Sequence, residues 1–165
     1  MGDSDDPFQS LLDAHADFLD KLAELEATLD EMMHTREASE GNREILDESI
    51  RFFHDELLPH LAREDEIVLP PIEAAIGRFG TLVNVVAYEH EEIRREILKF
   101  GEARRELDAL KDPWPAIEEL NRHGIFTIQF LWDHFRKERT GLFVVAMEKL
   151  SAVQLEEIRT GLARG

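Results

Sequence analysis

Apolar residues recur every three or four positions through most of this chain, which is the spacing of one face of an α-helix. Four stretches of roughly 25 to 35 residues show this spacing and predict four amphipathic helices. The predicted starts are Asp6-Pro7, Asn42, Thr81 and Asp112-Pro113. The second helix is predicted to end at Leu69-Pro70-Pro71, because proline lacks the N–H that an α-helix requires. No stretch shows the alternation of a β-strand.

The connections between these helices are short, so neighbouring helices are expected to run in opposite directions. Ser151 and Gln154 have the spacing of a capping box and predict a short final helix over residues 151–162. The fold class we predict is therefore all-α, an up-down-up-down four-helix bundle with a short C-terminal helix. We interpret residues 1–165 as one domain, with the bundle core at about residues 7–149.

Composition narrows the classes of partner and cofactor. The net charge of −17 argues against nucleic acid or an anionic membrane as a partner, because both attract basic surfaces. The chain has no cysteine, so disulfides, iron–sulfur clusters and thiolate zinc sites are excluded, and any metal must be bound through nitrogen and oxygen. The acidic N-terminus lacks the pattern of a signal peptide, and no long apolar run follows, so we expect a cytoplasmic protein.

The apolar face of each long helix contains one histidine, and two of these histidines are followed four residues later by a glutamate. The set is His15, His60, Glu64, His90, His134 and Glu138. Either His-x-x-x-Glu pair alone is also typical of a surface ion pair, and a lone core histidine of a structural one. In the predicted bundle, however, His15, His60 and His90 lie at one level, roughly 12–15 Å from one end, and His134 joins them if the fourth helix extends beyond its neighbours. Buried carboxylates in that layer would incur several kcal/mol of desolvation unless protonated, paired or metal-bound, so we predict a metal site.

The ligand types restrict the metal. Imidazole and carboxylate without thiolate suit iron, zinc, manganese or copper. Four histidines and two glutamates divide into two nitrogen ligands per metal with two carboxylates left to bridge, which indicates a dinuclear centre. With an added oxo or hydroxo bridge each metal would have five ligands, which leaves a place on an octahedral iron for a small ligand such as dioxygen. A structural zinc would instead favour four closed ligands.

The order His15, His60-x-x-x-Glu64, His90, His134-x-x-x-Glu138 resembles that of the hemerythrin-like (HHE cation-binding) domain family, over about residues 7–149. The resemblance implies a four-helix bundle with a non-haem di-iron centre. Members of the family carry oxygen, sense oxygen or iron, or act on peroxide or nitric oxide. The resemblance also implies that these six residues are the metal ligands, with Glu64 and Glu138 as bridging carboxylates.

Two positions depart from the pattern of the oxygen-carrying members. Those proteins have a further histidine one turn after that of the third helix, where this chain has Arg94, and an aspartate five residues after the last histidine, where this chain has Glu138 at four. One fewer nitrogen ligand argues against reversible oxygen carriage and favours a more open centre. Arg94 either faces this centre or turns outward to Glu91, which is itself a poor substitute ligand because it lies about 100° around the helix from His90.

These observations leave three functional hypotheses. The first is a non-haem di-iron protein that binds or senses dioxygen or a related small ligand, such as another diatomic molecule or peroxide. The second is a di-iron enzyme that acts on peroxide, nitric oxide or ferrous iron. The third is a bundle, filled with zinc or free of metal, that is used for partner binding. The expected cofactor is two iron ions, with zinc or manganese as alternatives, and the sequence indicates no particular protein partner.

Overall fold

The computed structural model describes residues 6–164, and this part of the chain forms five helices and no strand. Helix α1 is Gln9–Thr35, α3 is Leu82–Ala109 and α5 is Ala152–Ala163. Helix α2 consists of the α-helical segments Glu40–Phe52, Leu58–Arg63 and Leu69–Ile76, joined by the π-helical turns Phe53–Leu57 and Glu64–Val68. Helix α4 consists of Trp114–Lys137 and Phe143–Lys149, joined by the π-helical turn Glu138–Leu142. The all-α prediction is confirmed.

The capping residues set where two of these helices begin. At the start of α2, Asn42 donates its backbone N–H to Ser39 Oγ, and Ser39 donates its own to Asn42 Oδ1, both at 3.0 Å. This capping box starts the helix at Glu40, two residues before the predicted position. The box predicted at Ser151 and Gln154 is confirmed. Both boxes pair backbone N–H groups that the first helical turn leaves free.

The first helix begins later than the Asp6-Pro7 signal predicts. Asp6 Oδ1 accepts the backbone N–H of Phe8 at 2.8 Å in a turn that precedes the helix, and the regular helix begins at Gln9. Asp6 therefore stabilises the turn that precedes the helix and is not itself the N-cap residue. The N-terminal residues 1–5, on which the expectation about a signal peptide rests, lie outside the described residues.

The prediction that Leu69-Pro70-Pro71 ends the second helix is wrong, because α2 continues to Ile76 and ends at Gly77, whose φ is 82°. Proline interrupts an α-helix because it has no N–H and crowds the carbonyl group four residues earlier. Here the π-turn Glu64–Val68 comes first, and the Leu69 N–H donates to the Glu64 carbonyl group. The prolines then occupy the first turn of a new α-helical segment, where proline is well tolerated.

Two hydrophobic clusters form the interior. The larger cluster draws residues from α1 to α4, including Leu25, Leu57, Phe100 and Leu131. The smaller cluster draws residues from all five helices, including Leu11, Ile72, Val86, Leu142 and Ile158. Along each of the four long helices, one predicted site residue lies between the residues that join one cluster and those that join the other, namely His15, Glu64, His90 and Glu138. The fold therefore places a polar layer between two apolar ones.

The short helix α5 is held against α2 next to this layer. The Arg63 guanidinium donates to the Leu162 carbonyl group, and Ile158 and Leu162 are buried in the smaller cluster. A Cβ at Gly161 would lie 3.0 Å from Cγ2 of Ile67, which lies in the π-turn that begins at Glu64. Between residues 6 and 164, no helix has the length and apolar composition needed to cross a membrane.

Gly124 lies where α4 passes close to α1 and α3. A Cβ at this position would lie 2.5 Å from Leu29 Cδ1 and 3.1 Å from Phe100 Cε2. We expect Gly124→Ala to lower the free energy of unfolding by about 1 kcal/mol, because overpacking of about 1–3 kcal/mol outweighs a gain in helix propensity of about 1 kcal/mol. Chemical denaturation of the metal-free protein measures this difference.

Gly101 provides the matched control, because a Cβ there would meet only Arg105 Nη1, at 3.8 Å. Gly101→Ala is therefore expected to raise the free energy of unfolding by about 0.5–1 kcal/mol, which is the gain in helix propensity without the crowding. Changes of the same sign in the two variants would contradict this account of the close approach at Gly124.

Candidate metal centre

The structure brings all six predicted site residues together in the polar layer between the hydrophobic clusters. Helix α1 provides His15, α2 provides His60 and Glu64, α3 provides His90, and α4 provides His134 and Glu138. Four of the six side chains are fully buried, and the other two are nearly so. The His-x-x-x-Glu spacing places each histidine one turn before its glutamate, so both face the same interior point.

Two groups of potential metal ligands occur among the described residues, each with its ligand atoms within 4.8 Å of one another. We call them the α3–α4 position, formed by His90, His134, Glu64 and Glu138, and the α1–α2 position, formed by His15, His60 and Glu64. Glu64 belongs to both groups. Its Oε1 lies 3.2 Å from His60 Nε2 and its Oε2 lies 4.0 Å from His90 Nε2. The two oxygens of Glu64 thus face different histidines, as a bridging carboxylate requires.

Glu138 also lies between the two positions. Its Oε1 is 2.8 Å from His134 Nε2 and 3.8 Å from His15 Nε2. Neither Glu138 oxygen has a hydrogen-bond partner within residues 6–164, even though the His134 nitrogen is so close. The Glu138 carboxylate and the His134 imidazole are therefore close enough to bind one cation together, but their orientation does not allow a hydrogen bond between them.

The atoms that point into the cluster fit a metal ion. Both oxygens of Glu64 and of Glu138, and Nε2 of His90 and of His134, are buried without a hydrogen-bond partner in the described part of the chain. Leaving a buried polar atom unpaired costs about 1–3 kcal/mol, and more for a charged group. Six unpaired nitrogen and oxygen atoms at one place are explained by a cation that would bind them, and the absence of sulfur excludes a thiolate-dependent metal site.

The electrostatics of the metal-free cluster are those of two buried carboxylates that compete for one proton. Burial raises the pKa of Glu138 well above its ordinary value, and the charge of Glu64 raises it further. Burial also tends to raise the pKa of Glu64, but interactions with Glu138, His15 and His60 outweigh burial and lower it well below the ordinary range. Glu138 is therefore the protonated member of the pair. Metal binding would displace that proton, because carboxylate ligands bind in the ionised form.

Two carboxylates that sequence reasoning missed lie behind the histidines of the α3–α4 position. Asp65 Oδ1 is 2.7 Å from His90 Nδ1, and Glu89 Oε1 is 3.0 Å from His134 Nδ1. Burial tends to raise the pKa values of both carboxyl groups, but hydrogen bonds with the histidine and with a cation outweigh burial and lower them. Each carboxylate therefore accepts the Nδ1–H of its histidine, which leaves Nε2 directed at the cluster.

Each of these carboxylates also binds a cationic side chain. Arg94 Nη2 donates to Asp65 Oδ2 and Arg94 Nη1 donates to Glu91 Oε1, both at 2.5 Å. Arg94 therefore turns outward, to Asp65 and Glu91, and Glu91 is exposed on the surface. On the other side, Lys137 Nζ donates to Glu89 Oε2 at 2.5 Å. Helix α3 thus contributes a single nitrogen, from His90, to the cluster.

The α1–α2 position has aromatic surroundings instead. The Phe135 ring stacks on the His15 ring, with centroids 4.0 Å apart and planes 11° apart, and the Phe18 ring meets His60 edge-on at 5.0 Å. Burial lowers the pKa of His15, which keeps the ring in the neutral form that binds metals. Its Nδ1 is buried and has no hydrogen-bond partner among residues 6–164.

The remaining histidines lie outside the cluster. His34 and His54 are exposed. His123 is partly buried away from the polar layer, with Nδ1 2.7 Å from Glu96 Oε2 and Nε2 3.1 Å from Glu119 Oε2. The cluster therefore uses four of the seven histidines.

A buried set of imidazole and carboxylate groups from four packed helices defines a helical cation-binding protein. The sequence pattern of the family described as the Hemerythrin HHE cation binding domain matches residues 6–146. The chain belongs to this family, which confirms the resemblance found in the order of its histidines and glutamates. No curated protein matches the chain.

Proposed function

We propose that the protein binds two iron ions in this cluster and uses them to bind or sense dioxygen or a related small ligand. His15 and His60 would hold one ion, His90 and His134 the other, and Glu64 and Glu138 would bridge the pair. Bound iron would supply the redox change and the Lewis acidity that the uptake of such a ligand requires. The observation that carries the proposal is the convergence of unpaired buried nitrogen and oxygen atoms from four helices.

The division of the cluster supports two ions rather than one. Each position has two histidines, and the oxygens of Glu64 face histidines of different positions. A single ion held by all six residues would leave no reason for this split. Iron suits the mixture of imidazole and carboxylate, while zinc or manganese would occupy the same ligands if iron were absent.

The surrounding side chains support a site for a small, weakly polar ligand. Phe18 and Phe135 cover the histidines of the α1–α2 position and keep bulk water away from it. Arg94 occupies the place where the oxygen-carrying pattern has another histidine, and it binds Asp65 and Glu91 instead of the cluster. The reduced number of nitrogen ligands favours a centre with an open place, which supports sensing or catalysis over reversible oxygen carriage.

Iron loading tests the proposal directly. Protein incubated anaerobically with ferrous iron and then desalted is expected to retain about two iron ions per chain by elemental analysis, as the two ligand groups require. Exposure to air should then produce near-ultraviolet charge-transfer absorption. His60→Ala should retain about one ion, because His60 belongs to only one of the two ligand groups, whereas His54→Ala, which replaces an exposed histidine outside the cluster, should retain both ions. Wild-type protein that remains free of iron would rule the proposal out.

The open place also supports a second candidate, an enzyme that acts on peroxide, nitric oxide or ferrous iron. Steady-state turnover of one of these substrates by the iron-loaded protein, lost in His60→Ala and kept in His54→Ala, would assign an enzyme. Stoichiometric ligand binding without turnover would instead assign a binding or sensing protein.

We also infer the up-down-up-down arrangement of the four long helices. Contacts between antiparallel neighbours support it. Glu31 near the end of α1 binds Asn42 near the start of α2, and Arg104 near the end of α3 binds Asp47 near the start of α2. Glu96 in the second half of α3 contacts His123 in the first half of α4. The acidic composition remains a reason to expect no nucleic-acid or anionic membrane partner. The single domain and the cytoplasmic location stay predictions.

A further inference from the structure

The two halves of the cluster differ in how their histidines are supported. Asp65 and Glu89 fix the α3–α4 histidines through Nδ1, so each ring already presents Nε2 to the metal position. The α1–α2 histidines contact phenylalanine rings, and His15 Nδ1 has no hydrogen-bond acceptor among the described residues. A carboxylate behind a ligating histidine fixes the tautomer and makes the imidazole a stronger ligand.

The number and charge of the groups also differ between the two positions. The α3–α4 position contains four potential ligands, including both glutamates, whereas the α1–α2 position contains three. Asp65 and Glu89 add negative charge just behind the α3–α4 histidines, and Arg94 and Lys137 each bind the outer oxygen of one of these carboxylates. This arrangement holds each carboxylate in place behind its histidine.

We propose that the two positions bind metal with unequal affinity, and that Asp65 and Glu89 are positioning residues that make the α3–α4 position fill first. The inference rests on the proposed two-ion centre and adds an order of filling to it. The α1–α2 position then holds the more exchangeable ion, so the number of ions bound reports the supply of free metal. The ion that dissociates more readily is therefore the one beside Phe18 and Phe135.

The test is an anaerobic titration of the full chain with ferrous iron in competition with a chromophoric chelator. Wild-type protein should bind the first ion at least about tenfold more tightly than the second, given the 10–100-fold effect of such supporting carboxylates. Asp65→Asn and Glu89→Gln should each weaken the α3–α4 step, which is the first in wild type, about 10–100-fold and change the α1–α2 step much less, so the gap between the steps closes or the order of filling reverses. His60→Ala should remove the second step and keep the first.

Two surface carboxylates provide matched controls. Glu91 binds Arg94 and Asp133 binds Lys137, as Asp65 and Glu89 do, but neither has a hydrogen bond to a cluster histidine. Glu91→Gln and Asp133→Asn should leave both binding steps unchanged. A general structural role of Asp65 or Glu89 would weaken both steps together, whereas a positioning role changes the first step selectively.

Circular dichroism before titration identifies any variant that does not fold. The two positioning residues lie on different helices, so each variant tests the inference independently. Wild-type protein that binds two ions with equal affinity would overturn the inference while leaving the two-ion proposal intact. Controls that lose as much affinity as Asp65→Asn and Glu89→Gln would overturn it as well. Wild-type protein that binds no iron would reject the proposed function and this inference together.

Discussion

Filling the cluster with metal is expected to raise the free energy of unfolding by about 4 kcal/mol per ion when free metal exceeds the dissociation constant a thousandfold. The reason is that the ligand atoms converge only in the folded chain, where they are buried and unpaired without metal. Two ions would then contribute roughly 8 kcal/mol. For a domain of this size, each kcal/mol of stabilisation raises the melting temperature by about 2–4 °C. We expect the melting temperature to rise by at least about 15 °C in calorimetry of chelator-treated protein after anaerobic addition of ferrous iron.

Histidine variants separate the cluster from the surface in this experiment. His54→Ala should show the full increase, because His54 is exposed and lies outside the cluster. His134→Ala should lose about half of the increase or more, because it removes a ligand of the α3–α4 position. Equal melting temperatures with and without metal would show that the cluster is not a metal site.

The second large effect expected is that Glu138→Gln stabilises the metal-free protein while it weakens metal binding. Glu138 is fully buried beside Glu64, and burial together with that neighbouring charge raises its pKa well above the ordinary value. Glutamine has the shape of the protonated acid and never has to take up a proton on folding. We expect a gain of about 1–3 kcal/mol in the free energy of unfolding at pH 7, measured by chemical denaturation after chelation.

The pH dependence follows from the direction of this shift. Below about pH 4.3 the carboxyl group of Glu138 is protonated in both the folded and the unfolded state, so wild type and Glu138→Gln should have similar stability. As the pH rises, the unfolded chain releases the proton and the folded protein keeps it, so wild type loses stability until the pH passes the raised pKa. The difference between the two proteins should grow over this range and then level off.

An exposed glutamate on the same helix provides the matched control. Glu148→Gln makes the same chemical change at the surface, and it should alter stability by no more than about 0.5 kcal/mol at any pH. If Glu138→Gln lowers the stability of the metal-free protein at neutral pH, or gives a difference that does not depend on pH, the assignment of the shared proton to Glu138 is wrong.

The helices and the cluster could be predicted because both depend on short-range periodicity. A histidine on an apolar helix face, such as His15, must be buried when the helix packs, and a glutamate four residues after a histidine shares its direction. The short connections between helices then predict that these faces meet at one level. The structure places all six predicted residues in one layer for these reasons.

The supporting carboxylates could not be predicted in the same way. Asp65 follows Glu64 directly, and Glu89 precedes His90 directly, so each is an acidic neighbour of a site residue in a chain rich in acidic residues. Their partners lie on other helices, at a sequence separation of 25 residues for Asp65 and 45 for Glu89. The sequence contains the acidic residues but not the relative rotation of the helices that pairs them.

The end predicted for the second helix is wrong for a related reason. Proline predicts the end of an α-helix because Pro70 has no N–H to donate to the carbonyl group four residues earlier. Here a π-turn upstream changes the hydrogen-bond pattern before the proline is reached. The formation of that turn depends on the packing of the whole helix, and periodicity within a short window does not indicate it. Pro59 follows the π-turn Phe53–Leu57 in the same manner.

The three π-helical turns have a consequence for aligning this chain with others. A π-turn closes its hydrogen bonds over five residues instead of four, so it holds about one residue more than the α-helix it replaces. When this chain is aligned with one whose helices are uninterrupted, the other chain therefore needs a one-residue gap opposite each of the segments 53–57, 64–68 and 138–142. Two of these segments begin at the glutamates of the cluster. An alignment without the gaps would shift the residues that follow each of these segments by one position, including the core residues after Glu64 and Glu138.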